Sequence, residues 1–102
     1  MNDTQQQPQA RPQQAAAFAR YNAAKQFYES IRAKQVKRLF ALLFKGGKYS
    51  TKDLVQVLNI ADPRAVVRDL KNLISEAGLK FTVCTRWEHP AGGARYKRYW
   101  ME

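Results

Sequence analysis

From Val36 onward the apolar residues first recur at helical spacing and then switch to alternation. Val36, Leu39, Phe40 and Leu43 stand at i, i+3, i+4 and i+7, while Lys34, Lys37, Arg38 and Lys45 fall largely elsewhere on the turn, which predicts an amphipathic helix. Gly46 and Gly47 end it by supplying a left-handed cap. Ser50-Thr51-Lys52-Asp53 then places a hydroxyl three residues before a carboxylate, so that side chain and backbone can satisfy each other at a helix start. A short helix carrying Leu54, Val57 and Leu58 is expected to follow, interrupted at Asn59-Ile60-Ala61. Asp62 and Pro63 restart a helix, one as an acceptor at the N-cap and the other as a ring preset for the first helical position. At about 100° per residue, Val66, Val67, Leu70, Leu73, Ile74 and Ala77 cluster on one side of this helix. Arg64, Arg68, Lys71, Asn72 and Ser75 gather on the other, so the helix has one face to bury and a basic one to present.

Gly78 closes that helix, and Lys80 to Trp87 reads as a strand, with Phe81, Val83, Thr85 and Trp87 at alternate positions. His89-Pro90-Ala91-Gly92-Gly93 is turn chemistry, and Arg95 to Met101 supplies a second strand. Tyr99 and Met101 share one face of it with Lys97, while Arg98 and Trp100 share the other. Two independently capped helices across a short turn have the form of a helix-turn-helix, and a hairpin after them is a wing. Upstream, residues 1–14 are Gln, Pro and Asn with scattered Ala and offer almost nothing to bury, so a disordered tail is expected. Residues 15–30 are good helix formers carrying Phe18, Tyr21, Phe27 and Tyr28, aromatics that do not fall on one clean face. The expected organisation is therefore a tail, an additional helix, and one domain over residues 31–102.

Composition turns this fold toward a partner. Eighteen Lys and Arg against eight Asp and Glu give a net charge of +10 on 102 residues, a surplus that attracts polyanions, nucleic acid first and an anionic membrane surface second. No apolar run approaches the roughly 20 residues needed to span a bilayer, and the N-terminus lacks the order of a signal peptide, so a cytoplasmic protein without a membrane partner is expected. Cys84 is the only cysteine, which excludes an internal disulfide and a thiolate metal cage and leaves it as a small hydrophobe. His89 is the only histidine and sits in the turn beside Pro90, with neither paired carboxylates nor a second metal ligand near it in sequence. Gly46-Gly47-Lys48 lacks the spacing of a phosphate loop. No catalysis, cofactor, metal or small-molecule substrate is expected.

The order of elements resembles the winged helix-turn-helix family, especially its small members in bacteriophages and mobile elements. The resemblance rests on Gly47-Lys48-Tyr49-Ser50-Thr51, on Asp62-Pro63-Arg64 with Val67-Arg68-Asp69-Leu70, and on Arg95-Tyr96-Lys97-Arg98-Tyr99-Trp100. It covers about residues 31–102 and implies an α+β winged helix, three helices followed by a β-hairpin, that binds double-stranded DNA as a regulator or architectural factor. Such a protein would be nucleoid-associated or phage-encoded.

On that reading the third helix of the motif enters the major groove. Arg64 and Arg68 suit bidentate contact with guanine, Asn72 suits adenine, and Lys71 and Ser75 extend the face. Arg86, Arg95, Lys97 and Arg98, flanking Trp87 and Tyr96, suit phosphate and minor-groove contact, although alternation prevents all four from facing one way. Lys48, Ser50 and Thr51 could donate to a phosphate, while capping alone accounts for the Ser and Thr. Tyr99 and Trp100 are expected to pack rather than to stack on bases. Two other readings stay open, an interaction module that docks an acidic protein and a binder of structured RNA. The segment 15–31 either pairs with a second copy, giving a homodimer, or folds back over its own domain.

Overall fold

The computed structural model describes residues 12–102, with side chains described from Ala19 onward. Four helices and a small antiparallel sheet make an α+β fold: α1 (Pro12–Ser30), α2 (Lys34–Phe44), β1 (Tyr49–Ser50), α3 (Thr51–Leu58), α4 (Pro63–Glu76), β2 (Val83–Glu88) and β3 (Tyr96–Met101). The expected tail falls outside the described residues up to Arg11, and its last three residues, Pro12 to Gln14, belong to α1. The side chain of Phe18 also lies outside what is described.

Several of the helix boundaries have a local cause. The Ser30 hydroxyl donates to the Phe27 carbonyl at 2.7 Å and closes α1. Gly46 and Gly47 stop α2 at φ of +101° and +99°, values that side chains rarely adopt. Asp53 N donates to Ser50 Oγ and Ser50 N donates to Asp53 Oδ2, both at 3.0 Å, completing the reciprocal cap of α3. The Asp62 carboxylate accepts from Ala65 N at 3.3 Å and Pro63 occupies the first turn of α4. Ser50→Ala removes one half of the α3 cap and is expected to lower stability by about 1 kcal/mol, read as a lower urea midpoint with unchanged cooperativity. An unchanged midpoint would mean that the strand pairing at Ser50 holds the α3 start without its hydroxyl.

The core lies where α2, α4 and the hairpin meet, with Leu39, Phe40, Leu43, Leu54, Leu70 and Tyr99 almost entirely enclosed. Ile60, in the interruption between α3 and α4, is also buried, so the turn anchors itself in the core. Phe40 is a hub: its ring meets Phe27 edge-on at 4.9 Å, stacks on Phe44 at 5.8 Å and meets Phe81 edge-on at 5.9 Å. Through Ala24 and Phe27, with Ile31 continuing the stripe at helical spacing just past its end, α1 joins this cluster. The additional helix therefore folds back over its own domain along that stripe, while Tyr21 and Tyr28, on its flank, stay exposed.

Three expectations change. Val57 is exposed, because α3 is only eight residues long and buries Leu54 and Leu58 alone. Ala77 caps α4 rather than lining its buried face, which ends at Ile74. The first hairpin strand begins at Val83, not Lys80; Phe81 is buried ahead of it, and Thr82 instead exchanges backbone hydrogen bonds with Glu102 at 2.9 Å. A third strand also joins the expected pair. Tyr49 and Ser50 lie opposite Tyr99 and Arg98, so the sheet runs β1-β3-β2 and ties the start of α3 to the hairpin.

Candidate nucleic-acid interface

Strand register decides which hairpin side chains can act with α4. Val83, Thr85 and Trp87 pair with Met101, Tyr99 and Lys97, and side chains alternate along each strand, so these six share one face. Tyr99 is 1% exposed and seats this face on the core, while Thr85, Lys97 and Trp87 overhang toward the turn. Cys84, Arg86 and Glu88 pair with Trp100, Arg98 and Tyr96 on the opposite face.

Two depressions adjoin the first face, the larger of them lined also by Tyr96 and Arg98 of the other face. One of about 250 Å³ lies between α4 and the hairpin, where Arg64, Arg68, Lys71 and Asn72 meet Thr85 and Lys97. The other, about 850 Å³, opens where β3 runs past its pairing with β1 and is bounded by Thr51, Lys52, Arg64, Trp87, Arg95 and Lys97. Arg64 and Lys97 line both, and join them into a single trough. Asp53 is the acidic residue on its rim, and its carboxylate is already engaged by the Ser50 amide. The trough is therefore strongly cationic, a concavity whose donors come from α4, the α3 start and the hairpin.

The residues singled out from the sequence sort themselves by this geometry. Arg64, Arg68, Lys71 and Asn72 are all exposed on the trough side of α4. Arg68 approaches the Asp69 carboxylate at 3.5 Å, an exposed pair too weak to immobilise the guanidinium. Ser75 lies farther along α4, over a further depression with Leu79 and Val83 that Lys71 also borders, and is not among the residues that line the trough. Arg95 and Lys97 reach the Trp87 ring, with the guanidinium 4.4 Å and the ammonium 5.5 Å from its centroid. Ser50 and Thr51 line the trough, but Ser50 caps α3 and Thr51 donates to the Tyr99 hydroxyl at 3.4 Å.

Arg86 and Lys48 lie outside the trough, whereas Arg98, on the other strand face, also lines its larger depression. Arg86 approaches Glu88 at 3.3 Å, and Arg98 donates to the Lys48 carbonyl at 3.3 Å and the Tyr96 hydroxyl at 3.0 Å. Lys48 places its ammonium 4.8 Å over the Trp100 ring, whose indole donates to Glu102 at 3.0 Å. Lys52 joins the trough without having been singled out, since in the sequence it reads only as a spacer within the capping motif. Burial, and then the charge of Glu102, push the Cys84 thiol above its ordinary value, which disfavours the nucleophilic thiolate. Among the described residues, no group of three or more His, Cys, Asp or Glu side chains is placed to hold a metal ion, and no helix is long and apolar enough to cross a membrane.

No family model matches the chain, and comparison with curated proteins and with solved structures likewise returned no match.

Proposed function

We propose that the chain is a non-catalytic nucleic-acid-binding protein, and specifically a winged-helix module that binds double-stranded DNA as a transcriptional regulator or architectural factor. The observation that carries this reading is the cationic trough, in which Arg64 on α4 and Lys97 on the hairpin line the same concave surface. α4 has 14 residues and is therefore about 21 Å long. An exposed helix of that length fits the major groove, which admits one helix. Arg64, in its first turn, is a cation where the helix dipole disfavours one, so an anionic or base-edge partner explains it better than helix stability does. With α4 in the groove, Arg95 and Lys97 lie beside the adjacent backbone and hold the register that Arg64, Arg68 and Asn72 read.

Selection from random duplex DNA identifies the preferred site, and variants then separate reading from holding. Arg64→Ala and Arg68→Ala are expected to lose about 1 to 3 kcal/mol on the selected site and far less on random duplex. Arg95→Ala and Lys97→Ala weaken both about equally. The reverse pattern would make the hairpin the reader and α4 the scaffold, and enrichment of no site at all would argue for an acidic protein partner or for sequence-independent coating.

A further inference from the structure

Trp87 is a large apolar side chain that the core leaves out. It is 48% exposed, near the distal end of β2, while the second tryptophan is half-buried and ties its indole to Glu102. Its ring is held nonetheless. Arg95 and Lys97 both approach it from the β3 side, at 4.4 Å and 5.5 Å from the centroid, and Lys97 is its direct cross-strand partner. In the order β1-β3-β2, β2 is the outer strand, so no further strand flanks Trp87 on the side away from β3. The indole thus has two cations beside it and nearly half of its surface uncovered, in the lining of the trough that Arg64 and Lys52 also form.

We infer that Trp87 is a stacking platform for an unpaired nucleobase, and that the preferred ligand is duplex DNA carrying a short single-stranded extension. The inference rests on the duplex-binding reading above and deepens it. An indole face attracts a flat, polarisable ring, and every base has such a face. Within a duplex those faces are covered by the neighbouring base pairs, so a fixed platform meets one only where the stack ends or a base has left it. Arg95 and Lys97 supply what a nucleotide needs beside its base, donors for the phosphate on either side of it. The cations also hold the ring in place beforehand, which reduces the ordering cost of binding. A minor-groove wedge would instead present a bare apolar side chain, without guanidinium and ammonium groups drawn over its ring.

The test compares a blunt duplex of about 16 base pairs with the same duplex extended by about five unpaired nucleotides, using the full chain. The extension is expected to tighten binding about fivefold or more. Trp87→Ala should remove that preference, so that the extended and the blunt duplex bind with equal affinity, and Trp87→Phe should keep part of it. In a Trp100→Phe background, in which Trp87 is the only tryptophan, the extended duplex should quench indole fluorescence and the blunt duplex should not. Circular dichroism melting of each variant confirms that the half-exposed ring was removed without unfolding the chain. Equal affinity for the two DNAs, or a preference that survives Trp87→Ala, would overturn the platform and leave duplex binding standing. Quenching and binding by the single-stranded oligonucleotide alone, with the blunt duplex ignored, would keep the platform and overturn the duplex reading. Failure to bind either DNA overturns both.

Discussion

Replacing Phe27 by alanine is expected to cost about 3 to 5 kcal/mol of stability and to lower the melting temperature by roughly 15 °C or more. Phe27 is 7% exposed and meets Phe40 edge-on at 4.9 Å, and Phe40 in turn touches Phe44 and Phe81. Truncation removes the transfer free energy of a whole ring and leaves a cavity against a hub that other packing cannot easily fill. It also removes an aromatic pair worth about 0.5 to 1.5 kcal/mol beyond its buried area. Tyr28→Ala, next in sequence, is the control. Its ring is 37% exposed, with the Lys37 ammonium 4.7 Å from its centroid, and lies outside the buried cluster, so a smaller loss of about 1 kcal/mol is expected. Because Phe27 packs within one chain, the Phe27→Ala loss should not depend on protein concentration. A loss below about 1 kcal/mol would mean that α1 is not docked on α2, and a loss that fades as the protein is concentrated would make α1 an element of a dimer.

What could and could not be foreseen follows from how local each cause is. The caps of α3 and α4 were legible because Ser50 with Asp53, and Asp62 with Pro63, satisfy backbone groups within three or four residues. Strand β1 was not, because it has two residues and its partners are Arg98 and Tyr99, about fifty positions later, so no periodicity can announce it. Val57 and Ala77 show another limit. Helical spacing gives a direction around the axis, but not the width of the neighbour that will cover it. Leu54 and Leu58 are covered, and Val57 at the edge of the same stripe is not. For α1 the stripe of Ala24 and Phe27, continued by Ile31 just past its end, is real, but Tyr21 and Tyr28 stand beside it and blur it in the sequence.

The candidate site divides along the same line. The polar side of α4 was legible as a helical face, and strand alternation already grouped Lys97 with Tyr99 and Arg98 with Trp100. Alternation does not say which group faces α4; the burial of Tyr99 in the core decides that, and it places Arg95 and Lys97 in the trough and Arg86 behind it, while Arg98 lines the larger depression with its guanidinium held by the Lys48 carbonyl and the Tyr96 hydroxyl. Trp87 illustrates the remaining gap. It shares its face with buried Val83, yet the hairpin outruns the core, and the pattern of residues does not encode where the core ends beneath a strand.

The affinity for random duplex DNA is expected to fall about 500-fold between 50 and 200 mM salt, a log-log slope near −4.5. The magnitude follows from how many cations are free to displace counterions. Of the cationic groups around the trough, Lys52, Arg64, Lys71, Arg95 and Lys97 have no carboxylate partner within ion-pair distance among the described residues, whereas Arg68 approaches Asp69 and Arg98 is held by the Lys48 carbonyl and the Tyr96 hydroxyl. About five phosphate contacts, each contributing roughly −0.9, give that slope. The free cations also make the effect divisible. Lys97→Ala and Arg95→Ala should each make the slope shallower by about 1, because each removes one phosphate contact. Arg86→Ala should leave it unchanged, since that guanidinium sits on the far face of the hairpin beside Glu88. Titration of the four proteins across that salt range by fluorescence anisotropy reads all the slopes. A wild-type slope shallower than about −2 would leave too few contacts for the trough to be the electrostatic footprint. If Arg86→Ala flattened the slope as much as Lys97→Ala does, the far face of the hairpin would have to meet the backbone, and α4 would be turned away from the groove.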